Sequence, residues 1–157
     1  MNSRELAQSC ADAMFARDEA SRRLGIAIEI VEAGSVRARM EINEVMVNGL
    51  GVCHGGYVFT LADSAFAFAC NCYDRSTFAA GATIDFLRPA HLGDRLLAEA
   101  TERYRGRKSG IYDVAVTNQD GQAVALFRGR SHATESPVIG ANPASYDTEN
   151  IEIREKR

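Results

Sequence analysis

Residues 57–73, YVFTLADSAFAFACNCY, are apolar almost all the way round and rich in Ala and Phe. The length favours a helix over a strand, and a helix without a polar face has to be buried. The rest of the chain must cover it. What lies on either side is mostly strand-like, so an antiparallel sheet curling around one long central helix is the economical solution, an α+β fold.

The flanking patterns supply that sheet. Residues 4–17 place Leu6, Cys10, Ala13, Met14 and Arg17 at helical spacing and read as an amphipathic helix, followed by a helical turn ending near Gly25. The period then changes to two. Ile26, Ile28 and Ile30 alternate with smaller or polar residues, Gly34-Ser35 turns the chain, and Val36, Ala38, Met40 and Ile42 face away from Arg37, Arg39 and Glu41. That pair is a hairpin. A loop, NEVMVNGLGVCHGG, leads into the helix. Four strand candidates follow it: 77–88, stopped by Pro89, then 95–107, 111–118 and 123–132, the last two joined at Asp120-Gly121. Arg103, Arg105 and Arg107 are expected on one face of their strand. From Ala133 onward periodicity is lost, which predicts a tail or a peripheral appendage. The chain thus divides into a helical segment 1–24, one domain 25–133 and a tail 134–157.

Composition adds exclusions. With 157 residues, of which 46% are hydrophobic, the chain can support the core of one domain. The longest apolar run, around 65–70, is too short for a membrane span, and the charged N-terminus lacks the apolar stretch of a secretory signal. A net charge of -3 leaves no electrostatic footprint for nucleic acid. A soluble, cytoplasmic protein is expected, binding neither membrane nor nucleic acid. Cys10, Cys53, Cys70 and Cys72 match no small disulfide framework. Cys53, His54, Cys70 and Cys72 lack the paired short spacings of a structural zinc site, so ordinary thiols and no metal are expected.

Asp63 does not belong in its surroundings. An ionised carboxylate buried without a partner is expensive. A structural acid satisfied by a backbone amide, an Arg or Ser64 is one reading; a reacting group is the other. The neighbourhood favours the second. Gly55-Gly56 lies where the helix begins, with unpaired N–H groups and the positive end of the dipole facing outward, a place suited to a developing oxyanion. Asn48, in the preceding loop, adds an amide able to orient water or a carbonyl. These are the parts of a hydrolytic site acting on a carbonyl.

Gly55 and Asp63 are eight residues apart, roughly 12 Å along one helix. One carbonyl cannot lie about 3 Å from both. If both act on one substrate, Asp63 of one chain must meet Gly55 of another, as two antiparallel helices about a two-fold axis would allow. An obligate homodimer with shared sites is the consequence.

HGGYVFTLADSAFAFACN, ATIDFLRPAHLGD, SGIYDVAV and ALFRGRSH closely resemble the hotdog-fold acyl-CoA thioesterases of the PaaI type, which serve phenylacetic acid catabolism. The resemblance runs over residues 14–132, and the tail has no counterpart. It implies the hotdog fold, a sheet wrapped around one central helix, and hydrolysis of phenylacetyl-CoA or its ring-hydroxylated form. It implies that Asp63 attacks the thioester or activates water, that the Gly55 N–H polarises the carbonyl, and that Asn48 and His54 flank the site. His54 has a structural alternative, shaping the loop. Coenzyme A, part of the substrate rather than a cofactor, brings phosphates. The resemblance places Arg88 and Pro89, and Arg107, Lys108, Ser109 and Gly110, along its channel, where basic side chains suit phosphate. A dimer of dimers is common in the family. The competing readings are a non-catalytic acyl-CoA-binding module, a purely structural dimeric domain, and a thioesterase for other aromatic or medium-chain acyl groups.

Overall fold

The computed structural model describes residues 1–143. Asn2 opens α1 (Ser3–Phe15) with a capping box, accepting the Glu5 N–H while the Glu5 carboxylate accepts the Asn2 N–H. Asp18 caps the short α2 (Glu19–Arg23), and Gly25, at φ +70°, turns the chain into the sheet. β1 (Ala27–Glu32) and β2 (Ser35–Glu41) form the expected hairpin. Val36, Ala38, Met40 and Ile42 are buried as their alternation requires. Glu29, Arg37 and Arg39 share ion pairs on the other face.

The central helix, α3 (Gly55–Cys70), stops before the apolar stretch does. Asn71 ends it: its side-chain amide donates to the Ala67 and Thr77 carbonyls and its Oδ1 accepts the Thr77 N–H. β3 (Thr77–Phe86), β4 (Arg95–Arg105), β5 (Ser109–Thr117) and β6 (Ala123–Ala133) complete one antiparallel sheet in the order β1-β2-β4-β5-β6-β3. The helix lies across β2, β4 and β5. Ala38, Ala98 and Ala100 on those strands are fully covered, small side chains that let the helix axis come close. Gly129 on β6 takes this furthest, since a Cβ there would sit 2.8 Å from the Phe66 ring.

The helix is covered on one side only. Gly56, Thr60, Asp63 and Ala67, at helical intervals, are left exposed or half-buried, because one six-stranded sheet wraps only the far side of α3. The neighbouring margin of the sheet is open as well. Among the described residues β3 pairs with β6 alone, and Phe78, Phe86 and Leu87 on and just after it are 49%, 54% and 54% exposed.

Two expectations need amendment. A bulge between Glu102 and Tyr104 breaks the alternation in β4. Arg103 therefore pairs with Asp113 at 2.9 Å on the outer face, while Arg105 turns inward, 3.4 Å from Glu102 and stacked 3.8 Å over the Tyr73 ring. The three arginines do not share a face. The expected tail also begins as an ordered strap. Ser76 donates to the Ser136 and Pro137 carbonyls, Asp74 Oδ1 accepts the Val138 and Ile139 N–H groups, and Val138 is 2% exposed. The remainder of the tail, 144–157, lies outside the described residues.

The packing of Gly129 gives a direct test. Gly129→Ala should destabilise the protein by about 1–3 kcal/mol through overpacking against Phe66, read as a lowered midpoint in urea denaturation with the slope unchanged.

Candidate active site

At the start of α3 the chain spends some of the helix's free N–H groups and keeps one. His54 is the N-cap: its Nδ1 accepts the Gly56 N–H at 2.9 Å and its carbonyl accepts the Tyr57 N–H at 3.0 Å. The acceptor role of Nδ1 puts the proton of a neutral ring on Nε2. The Gly55 N–H has no partner among the described residues and points out at the positive end of the helix dipole. A Cβ on Gly55 would lie 3.0 Å from the Phe86 ring, so glycine lets that ring lie against the helix start. Gly55, Phe86, Arg88 and Pro89 share an open groove of about 400 Å³. Arg88 donates from Nη1 to the Ala123 carbonyl at 2.9 Å and is otherwise exposed.

Asn48 organises the loop that delivers the helix. Its Oδ1 accepts the Leu50 N–H at 2.9 Å and the Val52 N–H at 3.3 Å. The side-chain NH₂ remains available as a donor, while the Cys53 N–H donates to Ala90 and the His54 N–H to Met46, fixing the loop end.

Asp63 sits two turns further along α3, on the uncovered stripe. It makes no hydrogen bond or ion pair with any described residue, and Ser64, the neighbour that could have held it, bonds to Ser21 instead at 3.0 Å. Burial holds its carboxyl above the ordinary carboxylate range. It faces a cleft of about 260 Å³ whose walls are largely apolar, with Phe66 and Ala67 from the helix and Phe78 from β3. Within one chain this cleft and the Gly55 groove are separate, as the roughly 12 Å between the two positions requires.

The other expected binding residues form a third group. Lys108 and Ser109, with Arg75 and Arg105, line a pocket of only about 30 Å³ near the C-terminal end of α3. Their turn is tightly tied: Arg75 donates to the Arg107 carbonyl at 2.7 Å, Ala133 to the Lys108 carbonyl at 2.7 Å, and Gly106 to the Ser109 carbonyl at 2.8 Å. The Arg107 and Lys108 side chains remain exposed. Gly110 has a packing reason, because a Cβ there would meet Ser131 and Tyr112 at 2.8 Å. All four cysteines are buried and free. Among the described residues there is no group of three or more His, Cys, Asp or Glu side chains able to hold a metal. Among those residues, too, no helix is long and apolar enough to cross a membrane.

Sequence reasoning missed the far walls of the Asp63 cleft. Met14 and Arg17 come from α1 and its end, and Val138 from the strap, so sequence separation hid them. It also missed Glu102, which accepts the Tyr73 and Tyr112 hydroxyls at 2.8 and 2.7 Å. Burial and that carboxylate push Tyr73 up to about 12. An acidic residue at an inward position of β4 was the available signal.

The central helix thus carries a carboxylate without a partner among the described residues and a free N–H at its start, with a six-stranded antiparallel sheet wrapped behind it. Residues 50–125 match the Thioesterase superfamily. The chain is 43% identical over 130 residues to the acyl-coenzyme A thioesterase PaaI of Escherichia coli (strain K12), covering 83% of this chain and 93% of that protein. The solved structure of the E. coli PaaI protein from the phenylacetic acid degradation operon superposes with a TM-score of 0.85 at 41% identity, over 87% of this chain and 99% of that one. A Streptococcus mutans UA159 protein solved bound to acetyl CoA superposes with a TM-score of 0.68 at 29% identity, over 71% and 90% of the two chains. The chain therefore belongs to the hotdog-fold acyl-CoA thioesterases of the PaaI type.

Two stability measurements follow from the site. Asp63 has its proton affinity raised on folding, so between the unfolded and folded pKa values the native state binds more protons and loses stability as pH rises. Asp63→Asn should melt higher than the parent at pH 7, with the gain shrinking as pH falls into the ordinary carboxylate range. His54→Ala should cost about 0.5–2 kcal/mol in chemical denaturation by removing the cap on the Gly56 N–H.

Proposed function

We propose that this chain hydrolyses phenylacetyl-CoA, or its ring-hydroxylated form, to the free acid and CoA at sites shared between two copies in the cytoplasm. The observation that carries the reading is the position of Asp63: half-buried, without a hydrogen-bond or ion-pair partner, at the mouth of an apolar cleft. A structural carboxylate so placed is costly, whereas a reacting one has to be free. The aromatic acyl group is taken from the E. coli relative and its phenylacetic acid degradation operon. Binding of CoA is supported by the Streptococcus mutans protein bound to acetyl CoA.

In this reading the ionised Asp63 either attacks the thioester carbonyl carbon or takes a proton from the water that does. Negative charge develops on the carbonyl oxygen, where the second chain's Gly55 N–H and helix dipole receive it. The C–S bond then breaks and CoA leaves as the thiolate. Where Asp63 attacked, water hydrolyses the resulting acyl–Asp63 anhydride to free acid and Asp63. Where water attacked, the free acid forms directly and Asp63 passes its proton on to the leaving thiolate. Asn48 and His54 border the Gly55 end, Asn48 offering its free NH₂. Arg88 and Pro89 border the groove there, and Arg107, Lys108, Ser109 and Gly110 lie at the basic turn, both suited to the phosphates of CoA. The open β3 edge and the uncovered stripe on α3 support the pairing of two copies, since a long unpaired strand with apolar residues invites a partner.

Thiol release from phenylacetyl-CoA, hydroxylated phenylacetyl-CoA, benzoyl-CoA and medium-chain acyl-CoAs tests the substrate, with the phenylacetyl forms expected to have the highest kcat/KM. Asp63→Asn should lower kcat by about 10²–10⁴-fold. The parent's acid limb should lie above the ordinary carboxylate range, because burial raises Asp63. Gly55→Pro removes the amide at a position where proline suits both the helix start and the extended His54 (φ -59°, ψ 130°). It should lower kcat about 10²-fold beyond Gly55→Ala, which keeps the N–H. Mixing inactive Asp63→Asn and Gly55→Pro proteins should restore activity, because a mixed dimer holds one site with both groups intact. A mixture that stays inactive after subunit exchange rejects the shared site.

A further inference from the structure

Resting on the reading of Asp63 as the reacting carboxylate, we propose that Val138, pinned over the Asp63 cleft by Asp74, sets which acyl groups the enzyme accepts. The two halves of the candidate site differ in chemistry. The Gly55 groove is the more open and borders Arg88, whereas the Asp63 cleft is the more apolar. An acyl group belongs in the second and the CoA part along the first.

The far wall is built from opposite ends of the chain. Met14 and Arg17 come from α1 and its end, and Val138 from the strap beyond β6. Val138 is nearly fully covered and is an apolar residue lining the cleft that Asp63 faces. Its place is fixed by its backbone. Asp74 Oδ1 accepts the Val138 N–H at 2.9 Å and the Ile139 N–H at 2.8 Å, and Arg17 donates to the Val138 carbonyl at 3.3 Å and the Ala141 carbonyl at 3.0 Å. Asp74 itself has φ +52°, the only non-glycine with positive φ among the described residues. That left-handed conformation costs energy in residues other than glycine and among them suits Asp and Asn best, and here it delivers the carboxylate to the strap. Asp74 is a positioning residue, acting on the acyl group through Val138.

The test follows thiol release from acetyl-CoA, hexanoyl-CoA and phenylacetyl-CoA with the full-length protein and reads ratios of kcat/KM. Val138→Phe fills the cleft and should lower the phenylacetyl-to-acetyl ratio about tenfold or more. Val138→Ala opens it and should raise the hexanoyl-to-phenylacetyl ratio by about threefold or more. Asp74→Ala should shift the ratios in the direction of Val138→Ala and act mainly through KM. Asp74→Asn keeps the Oδ1 acceptor and the left-handed backbone, and should retain the parent's ratios. If Val138→Phe does not fold, Val138→Ala and the two Asp74 variants decide. Folded variants whose ratios all stay within about twofold of the parent overturn the proposal. Asp63→Asn is run beside them. If it is silent while the ratios stay fixed, only the role of the strap falls; if it turns over like the parent, the site falls and the strap with it.

Discussion

The structure depends on the burial of one helix that has almost nothing polar to show. Its chain supplies a single sheet, and a single sheet reaches only part of the way round. Val58, Leu61, Ala65 and Phe66 are covered, whereas Thr60, Asp63 and Ala67 are left in part to solvent. The partial coverage is what would make Asp63 useful in the proposed reaction. Complete burial would drive its carboxyl neutral at working pH, and full exposure would leave an ordinary, well-hydrated carboxylate. The same incompleteness recurs at the β3 edge beside it, where about half of Phe78 and Phe86 stays in contact with water. Stripe and edge lie on the same side of the molecule, so the proposed pairing would cover both together.

The helix start and the helix middle are specialised in opposite ways. At the start, His54 takes up the Gly56 N–H and leaves the Gly55 N–H free, so the dipole is both anchored and available. In the middle, backbone groups are spent on the helix itself and the free polar group is a side chain, Asp63. One helix therefore offers a donor and a carboxylate too far apart for one substrate. The separation is economical if each chain lends one of them to its partner.

Where periodicity is local, the fold was legible. Val36, Ala38, Met40 and Ile42 announced a half-buried strand, and the apolar 57–73 stretch announced the helix that the sheet surrounds. Asp63 and Gly55 stood out for the same reason, being residues at odds with their immediate neighbours. What was not legible depends on contacts distant in sequence. The bulge that separates Arg103 from Arg105 has no signature in ERYRG, because it arises from how β4 meets β5. The strap looked like a tail because its partners, Asp74, Ser76 and Arg17, are 64, 61 and 121 residues away from the groups they bond. Gly110 was assigned to binding from its motif, while its surroundings also require glycine for packing.

The strand order sets the sequence in which the molecule can be completed. β3 leaves the ribosome before β4, β5 and β6, yet among the described residues its sole neighbour in the sheet is β6, the last of these strands. Until β6 exists, a ten-residue strand bearing Phe78, Ile84 and Phe86 has both of its edges unpaired. Chains of this topology must close a long loop before that strand is rewarded, and they pass through a stage that exposes sticky backbone. The edge left open in the finished chain is thus the remnant of a larger hazard during synthesis, one that only the last strand halves.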